Sequence, residues 1–312
     1  MITEVLESPR LTAATPIARI VEQARLARPL IAAIVDPFDS LSLGGALAAQ
    51  EQNILTPLLV GDPDRIANTA RRCGWSLQGV RIEACAAGEE ALTAAKLACE
   101  GSVGAIVKGA LHSDELLHAV LDNHQLRTRR RLSHIVVTQL PGRATPLLLT
   151  DGAVNIAPNL DEKRQIIENA IDAAHRLGIA EPKVALLAAV ETIAASMPAT
   201  IEAAALKELA DRGSFAAAIV DGPFALDDAI SLEAAQAKGI TSPVAGNADI
   251  LLSPELESGN MLYKAFDRLL GARFGAVVTG AAVPIVLTSR ADSLDARIVS
   301  GALARLLSNA HA

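Results

Sequence analysis

Apolar positions follow two rhythms along this chain. Short runs of β-favouring residues alternate, almost from end to end, with longer stretches in which apolar residues recur every three or four positions. Parallel strands covered on both faces read as continuous apolar runs, and the helices crossing between them carry one apolar stripe, so the alternation predicts an α/β fold. In the first part, strands are expected around Ile31–Val35, Pro57–Val60, Val80–Ala84 and Ala105–Val107, with helices near Pro63–Cys73 and Glu89–Cys99. Further along, strands are expected at His134–Val137, Leu147–Thr150, Val184–Val190, Ala217–Val220 and Ile250–Leu252. The helices between them are Asp161–Leu177, Pro198–Arg212, Asp227–Lys238 and Gly259–Leu270. From Phe274 the pattern gives a strand, a turn, a second strand Pro284–Leu287 and a last helix from about Asp292.

With 312 residues the chain has room for one large or two medium domains, and the polar, basic stretch Asn123–Arg131 suits a crossing between two. Lys and Arg number 28 against 35 Asp and Glu, a net charge of −7, so no global positive field gathers nucleic acid. One Trp and one Tyr leave little from which to build a stacking platform for single strands. Cys73, Cys85 and Cys99 are odd in number and too widely spaced for a metal or disulfide framework, and read as small buried apolar residues. The six histidines do not cluster with ligand spacing, so no metal is expected. No apolar run is long enough to span a bilayer and no signal-type segment opens the sequence, which predicts a protein of a reducing, cytoplasmic compartment with no membrane partner.

Several expected strands end in polar residues. The segment PIVLTSRADSLDAR (Pro284–Arg297) runs from an apolar strand into Thr288-Ser289-Arg290 with a helix close behind. In open α/β sheets ligands sit beyond the carboxyl ends of strands, and a helix start there offers free N–H groups to an anion. A serine hydroxyl donates and accepts, and a guanidinium fork matches two phosphate oxygens. Equally, Ser289 and Asp292 could cap the helix, and the two readings are compatible. Asp221-Gly222-Pro223 closes another strand, with a plain turn as the alternative. Glu191 follows the run Val184–Val190, and Lys108-Gly109 stands where a strand meets a helix beginning at Ser113. Gly259-Asn260 precedes a helix on which Lys264 and Arg268, four residues apart, share a face. The run Arg127, Arg129, Arg130, Arg131 is either a solvated loop or a local anion site. Signatures for the common dinucleotide, P-loop, zinc-protease and hydrolase-elbow sites are absent from the sequence.

Taken together, VKGALHS (Val107–Ser113), LSH (Leu132–His134), DGAVNIAPNLDEK (Asp151–Lys163), PKVALLAAVE (Pro182–Glu191), VDGPFALDDAIS (Val220–Ser231), PVAGNADILLSPELESGNMLYK (Pro243–Lys264) and PIVLTSRADS (Pro284–Ser293) resemble the phosphate acetyl/butyryltransferase family, its butyryl-type branch most closely. The likeness runs from about Val60 to the final helix. It implies two αβα three-layer domains with an interdomain cleft, related to isocitrate and isopropylmalate dehydrogenases, the first domain being 1–130 plus 283–312 and the second 131–282. It further implies reversible transfer of a short acyl group, acetyl or butyryl, between coenzyme A and inorganic phosphate to give an acyl phosphate. Coenzyme A is then a substrate rather than a tightly bound cofactor, and a homodimer or larger homo-oligomer is expected.

Ser289 and Arg290 match the family's Ser-Arg pair, and Arg268 matches a helix arginine of the acetyl branch. By their places at strand ends and on one helix face, Lys264, Asn260, Gly259, Asp221, Lys108 and Glu191 are candidates for holding substrate or phosphate, and His118, Arg127 and Arg130 are candidates for coenzyme A. Two positions depart from the pattern. The acetyl branch has an aspartate seven residues after its serine, where this chain has Ala296, so Asp292 or Asp295 is the expected base unless it lies elsewhere. His118 stands where many relatives carry arginine. These departures motivate one alternative, a binding protein for coenzyme A or acyl phosphate with little catalysis; a second is transfer from acyl carrier protein to phosphate.

Overall fold

A computed structural model of the chain describes residues 15–309. These form two compact units, one made of the chain up to Arg129 together with Arg273 onward, the other of Arg130–Ala272. In chain order the first unit contributes α1 (Pro16–Leu26), β1 (Leu30–Val35), α2 (Ser40–Glu51), β2 (Leu55–Val60), α3 (Pro63–Cys73), β3 (Arg81–Glu83), α4 (Glu90–Cys99), β4 (Ala105–Lys108) and α5 (Ser113–Asp122). The second contributes β5 (Ser133–Gln139), β6 (Leu147–Thr150), α6 (Leu160–Arg176), β7 (Lys183–Leu187), α7 (Pro198–Asp211), β8 (Ile219–Phe224), α8 (Leu226–Ile230), α9 (Leu232–Ala237), β9 (Ile250–Leu252) and α10 (Leu256–Leu270). The chain then returns to the first unit with β10 (Arg273–Thr279), β11 (Ile285–Val286) and α11 (Leu294–Leu307).

In the first unit the strand order is β3-β2-β1-β4-β11-β10, parallel except where β10 meets β11. Crossovers from β1 to β2 and from β2 to β3 step one way along the sheet, and that from β3 to β4 steps back. Right-handed connections therefore set α2 and α3 on one face and α4 on the other. The contacts agree: α11 packs on α1, α2 and β10, while α4 packs on β1 and α5. With both faces covered, Ile34, Leu58, Leu59 and Ile106 are wholly buried, each such side chain contributing about 1.5–3 kcal/mol.

The second unit runs β5-β6-β9-β7-β8, parallel except for the β5–β6 pair. The same handedness argument puts α6 and α7 on one face and α8 and α9 on the other. Ile135 and Leu147 lie at its centre. Asn159 opens α6 with a capping box completed by Glu162, which is why the acidic start of this helix was legible in the sequence.

Elsewhere the structure corrects the boundaries. The run Val184–Val190 stops as a strand at Leu187, where the register with β8 shifts, so Glu191 does not sit at the strand's end. Asp221-Gly222-Pro223 lies inside β8 rather than in a turn after it. The helix expected over Asp227–Lys238 breaks at Ser231, whose extended backbone lets its hydroxyl cap α9 at Ala234 N. Glu255 caps α10, which starts before Gly259 rather than after it. Ser293, not Ser289 or Asp292, caps α11. The three cysteines are free and half-buried rather than core residues. Among the described residues no helix is long and apolar enough to cross a membrane, and no group of three or more His, Cys, Asp or Glu side chains could hold a metal ion.

Candidate active site

Strands β1, β4 and β11 are adjacent and parallel, so their carboxyl ends stand side by side in the first unit. The loop after β4 crosses close over the end of β1: Gly109 N donates to Val35 O at 2.8 Å and Ala110 N to Asp36 O at 2.8 Å. A Cβ on Gly109 would fall 2.3 Å from Val35 O, so only glycine lets the two backbones meet. Lys108 is 7% exposed and turns its ammonium into this loop, donating to Leu111 O at 3.0 Å. Burial holds its pKa below the usual lysine value, as do Arg290 and Arg297, against a counter-pull from Asp39 and Asp292.

Beyond β11 the chain turns sharply through Ser289-Arg290-Ala291-Asp292. Asp292 Oδ2 accepts from Ser289 N at 2.6 Å, and Asp292 N donates to Ser289 O at 3.2 Å. Ser289 Oγ accepts from Ala291 N at 3.3 Å, which leaves its proton available to a ligand. Arg290 is exposed, and no described residue bonds or pairs with its guanidinium. Arg297, one turn into α11, reaches back to donate to Thr288 Oγ1 at 2.8 Å and Ser289 O at 2.9 Å. Burial also lowers its pKa, while Asp39 and Asp292 oppose that shift. Asp39 caps α2, accepting from Leu41 N and Ser42 N. Three cations therefore converge where the two nearby carboxylates are already engaged with backbone amides. An anion is the occupant such a field selects.

The other nominated carboxylate has a different role. Asp295 forms a two-bond ion pair with Arg273 at 2.6 and 3.0 Å, fastening the start of α11 to β10. Ala296, where the acetyl branch carries its aspartate, is buried, with its amide on Ser293 Oγ. His118 donates through Nδ1 to Asp114 O at 2.7 Å on the exposed side of α5. Arg127 donates to Leu121 O beside a bridge to Ala281.

Most second-unit candidates are engaged with their own surroundings. Arg130 pairs with Glu168 and Asp172, and Arg131 with Glu162, so much of the basic run is neutralised by α6. Asp221 accepts from Ser242 Oγ at 2.5 Å and from Gly222 N at 2.8 Å. Glu191 lies 3.9 Å from Lys238, which also pairs with Asp227 and Asp228. Gly259 allows α10 to touch the loop after β6, since a Cβ there would sit 2.3 Å from Asp151 O, and Asn260 Nδ2 donates to Gly152 O at 2.8 Å. Lys264 stands 5.0 Å from the Tyr263 ring centre, and the exposed Arg268 pairs with Asp267.

Sequence reasoning missed a buried network beside these residues. Asp151 accepts from His134 N at 3.1 Å, Asn155 Nδ2 at 2.6 Å and Ala153 N at 2.8 Å. His134 is buried, its Nδ1 without a hydrogen-bond partner among the described residues; burial pushes its pKa down, Asp151 pulls it up and Lys264 pushes it down again. The available signal was Asp-Gly at the end of an apolar run. Arg297 and Asp39 were missed as well, because each acts through a partner several residues away.

Such a unit, doubly wound and with cations gathered at the carboxyl ends of neighbouring parallel strands, is an α/β arrangement of the kind that takes ligands beyond its strand ends. The chain matches the family described as phosphate acetyl/butaryl transferase over residues 83–305. A phosphate acetyltransferase from Rhizobium meliloti is 46% identical over 291 residues, 92% of each chain. A phosphate butyryltransferase from Clostridium acetobutylicum is 40% identical, over 83% of this chain and 87% of that one. Among solved structures, a branched-chain phosphotransacylase from Enterococcus faecalis superposes with a TM-score of 0.76 at 29% identity, covering 89% of this chain and 99% of the other. A 4-hydroxythreonine-4-phosphate dehydrogenase from Burkholderia phymatum, at 16% identity and TM-score 0.51 over 89% of this chain and 99% of that one, shares the fold. This chain belongs to the phosphate acetyl/butyryltransferase family.

Proposed function

We propose that the protein transfers a short acyl group between coenzyme A and inorganic phosphate, with Ser289 and Arg290 at the reacting atoms. The observation that carries this reading is the Ser289-Arg290 turn itself, a hydroxyl proton and a guanidinium without partners among the described residues in a field made positive by Lys108 and Arg297. In the forward direction a phosphate oxygen attacks the thioester carbonyl carbon. The carbon–sulfur bond then breaks, the acyl phosphate forms, and the proton carried by hydrogen phosphate passes to the departing thiolate.

Arg290 holds the phosphate by two parallel hydrogen bonds and offsets charge that grows on the attacked carbonyl. Ser289 donates to the carbonyl oxygen or to sulfur. Lys108 and Arg297 act less directly, since their donors are committed to loop carbonyls and to Thr288, and they supply field and rigidity. Asp292 is the carboxylate we assign to proton transfer, because it lies against Ser289, whereas Asp295 is committed to Arg273.

The test is phosphate-dependent release of free thiol from acetyl- and butyryl-coenzyme A. We expect turnover with at least one donor, and a fall of about 10²–10³ in kcat for Arg290→Ala, the usual cost of losing one donor aimed at developing charge. Release without dependence on phosphate, or a variant as fast as the parent, rules out this assignment.

A further inference from the structure

At the opposite edge of the first unit's sheet, beneath the amino ends of β1, β4 and β11, lies a cavity of about 450 Å³. Its wall is apolar, formed in part by Leu30, Ile31, Val103 and Val283, and Ile31 keeps 37% of its surface exposed there. Two arginines line it, Arg28 and Arg305, and none of its lining residues is acidic. Arg305 is 8% exposed, and its sole hydrogen bond among the described residues runs from Nε to Arg28 O at 2.6 Å. No described carboxylate pairs with either guanidinium.

The outer nitrogens of Arg305 have no partner among the described residues and are not sealed from solvent, so they are donors open to a ligand in the cavity. Part of that arginine's charge answers the carbonyl end of α11, since cations suit the last turn of a helix. Among the described residues, that leaves the guanidinium of Arg28 and the outer nitrogens of Arg305 without a carboxylate partner. Pockets of this size for organic ligands are apolar with a few polar groups that fix orientation, which describes this one. Guanidinium forks favour phosphate oxygens over a single carboxylate, because a phosphate offers acceptors to both at once.

We propose that this cavity binds a small organic phosphate monoester, its phosphate held between Arg28 and Arg305 and its apolar body against Ile31 and Val283. The site is separate from the Ser289 turn, which lies at the carboxyl ends of the same strands, and the proposal stands whether or not acyl transfer is the protein's activity.

Calorimetric titration of the full chain with phenyl phosphate tests it. Because the Ser289 turn also attracts phosphate, the titration is made in an Arg290→Ala background. Binding is expected to persist there and to weaken at least tenfold when Arg28→Ala is added; Arg28 is exposed, so this change keeps the fold. Arg305→Lys, which keeps charge but loses the fork, is expected to weaken it similarly. No heat of binding in the Arg290→Ala protein, or heat unchanged by Arg28→Ala, overturns the proposal.

Discussion

Asp36 follows the last residue of β1 with φ +58°, a left-handed conformation that a short polar side chain tolerates. Its Oδ1 is buried with no hydrogen-bond partner among the described residues. Burial raises its pKa to about 6; Glu90 adds to the rise, Arg65 opposes it, and Glu115 and Asp39 add smaller increments. The unfolded chain releases this proton at the ordinary carboxylate value. Between the two values the folded state binds more protons, so the contribution is present at low pH and is lost as pH rises through about 6. Asp36→Asn should therefore raise Tm more at about pH 7.5 than at about pH 4, because the amide needs no ionisation and suits the left-handed backbone. Equal differences in Tm at the two pH values would show that Asp36 is not strained by its charge. This residue stands just beyond a predicted strand, as Ser289-Arg290 does. What sequence could not supply was the approach of Glu90 and Glu115, which come from two helices far along the chain.

Arg297 shows how an element carries a site without any local motif. In sequence it is an ordinary helical arginine. In the structure, the sharp turn at Ser289 and the cap at Ser293 set α11 running back past β11, so one turn in, its guanidinium meets the backbone it has just left. Arg297→Met keeps much of the length but removes the donor to Thr288 Oγ1 and leaves Ser289 O with Asp292 N alone. We expect a loss of about 1–3 kcal/mol in urea denaturation, as for other buried acceptors left unpaired. A fall in kcat should accompany it, because the serine turn is no longer held. Stability and kcat both at parental values would mean that this contact is incidental. Strand positions were legible because both sheet faces are covered and the apolar runs are continuous. Helix starts were less so: Glu255 and Ser293 act as caps only because the chain arrives in extended form, which no residue type dictates.

At the scale of the whole chain, the first unit is discontinuous. Strand β11 lies between β4 and β10, and α11 buries Val299, Ala302 and Leu303 among α1, α2 and β10. A chain ending after Ala272 should therefore lose hydrogen-exchange protection at the amides of β1 and β4 while keeping it in β7 and β9. Protection retained in β1 and β4 would show that the amino-terminal segment closes a core by itself. The overall class was legible in the alternation of strand and helix patterns, and the charge balance set nucleic acid aside. The local positive field at the Ser289 turn was hidden, because three cations 182 or more residues apart in part, Lys108 against Arg290 and Arg297, are united only by the return of the chain. That late return has a consequence during synthesis. At about 5–20 residues per second, roughly ten to forty seconds pass between emergence of the first segment and of its missing strand. Throughout that interval a nascent β4 presents an open edge, and the second unit, whose residues are contiguous, has time to fold before the first. Assembly of the serine turn against β4 therefore waits for the return of the chain.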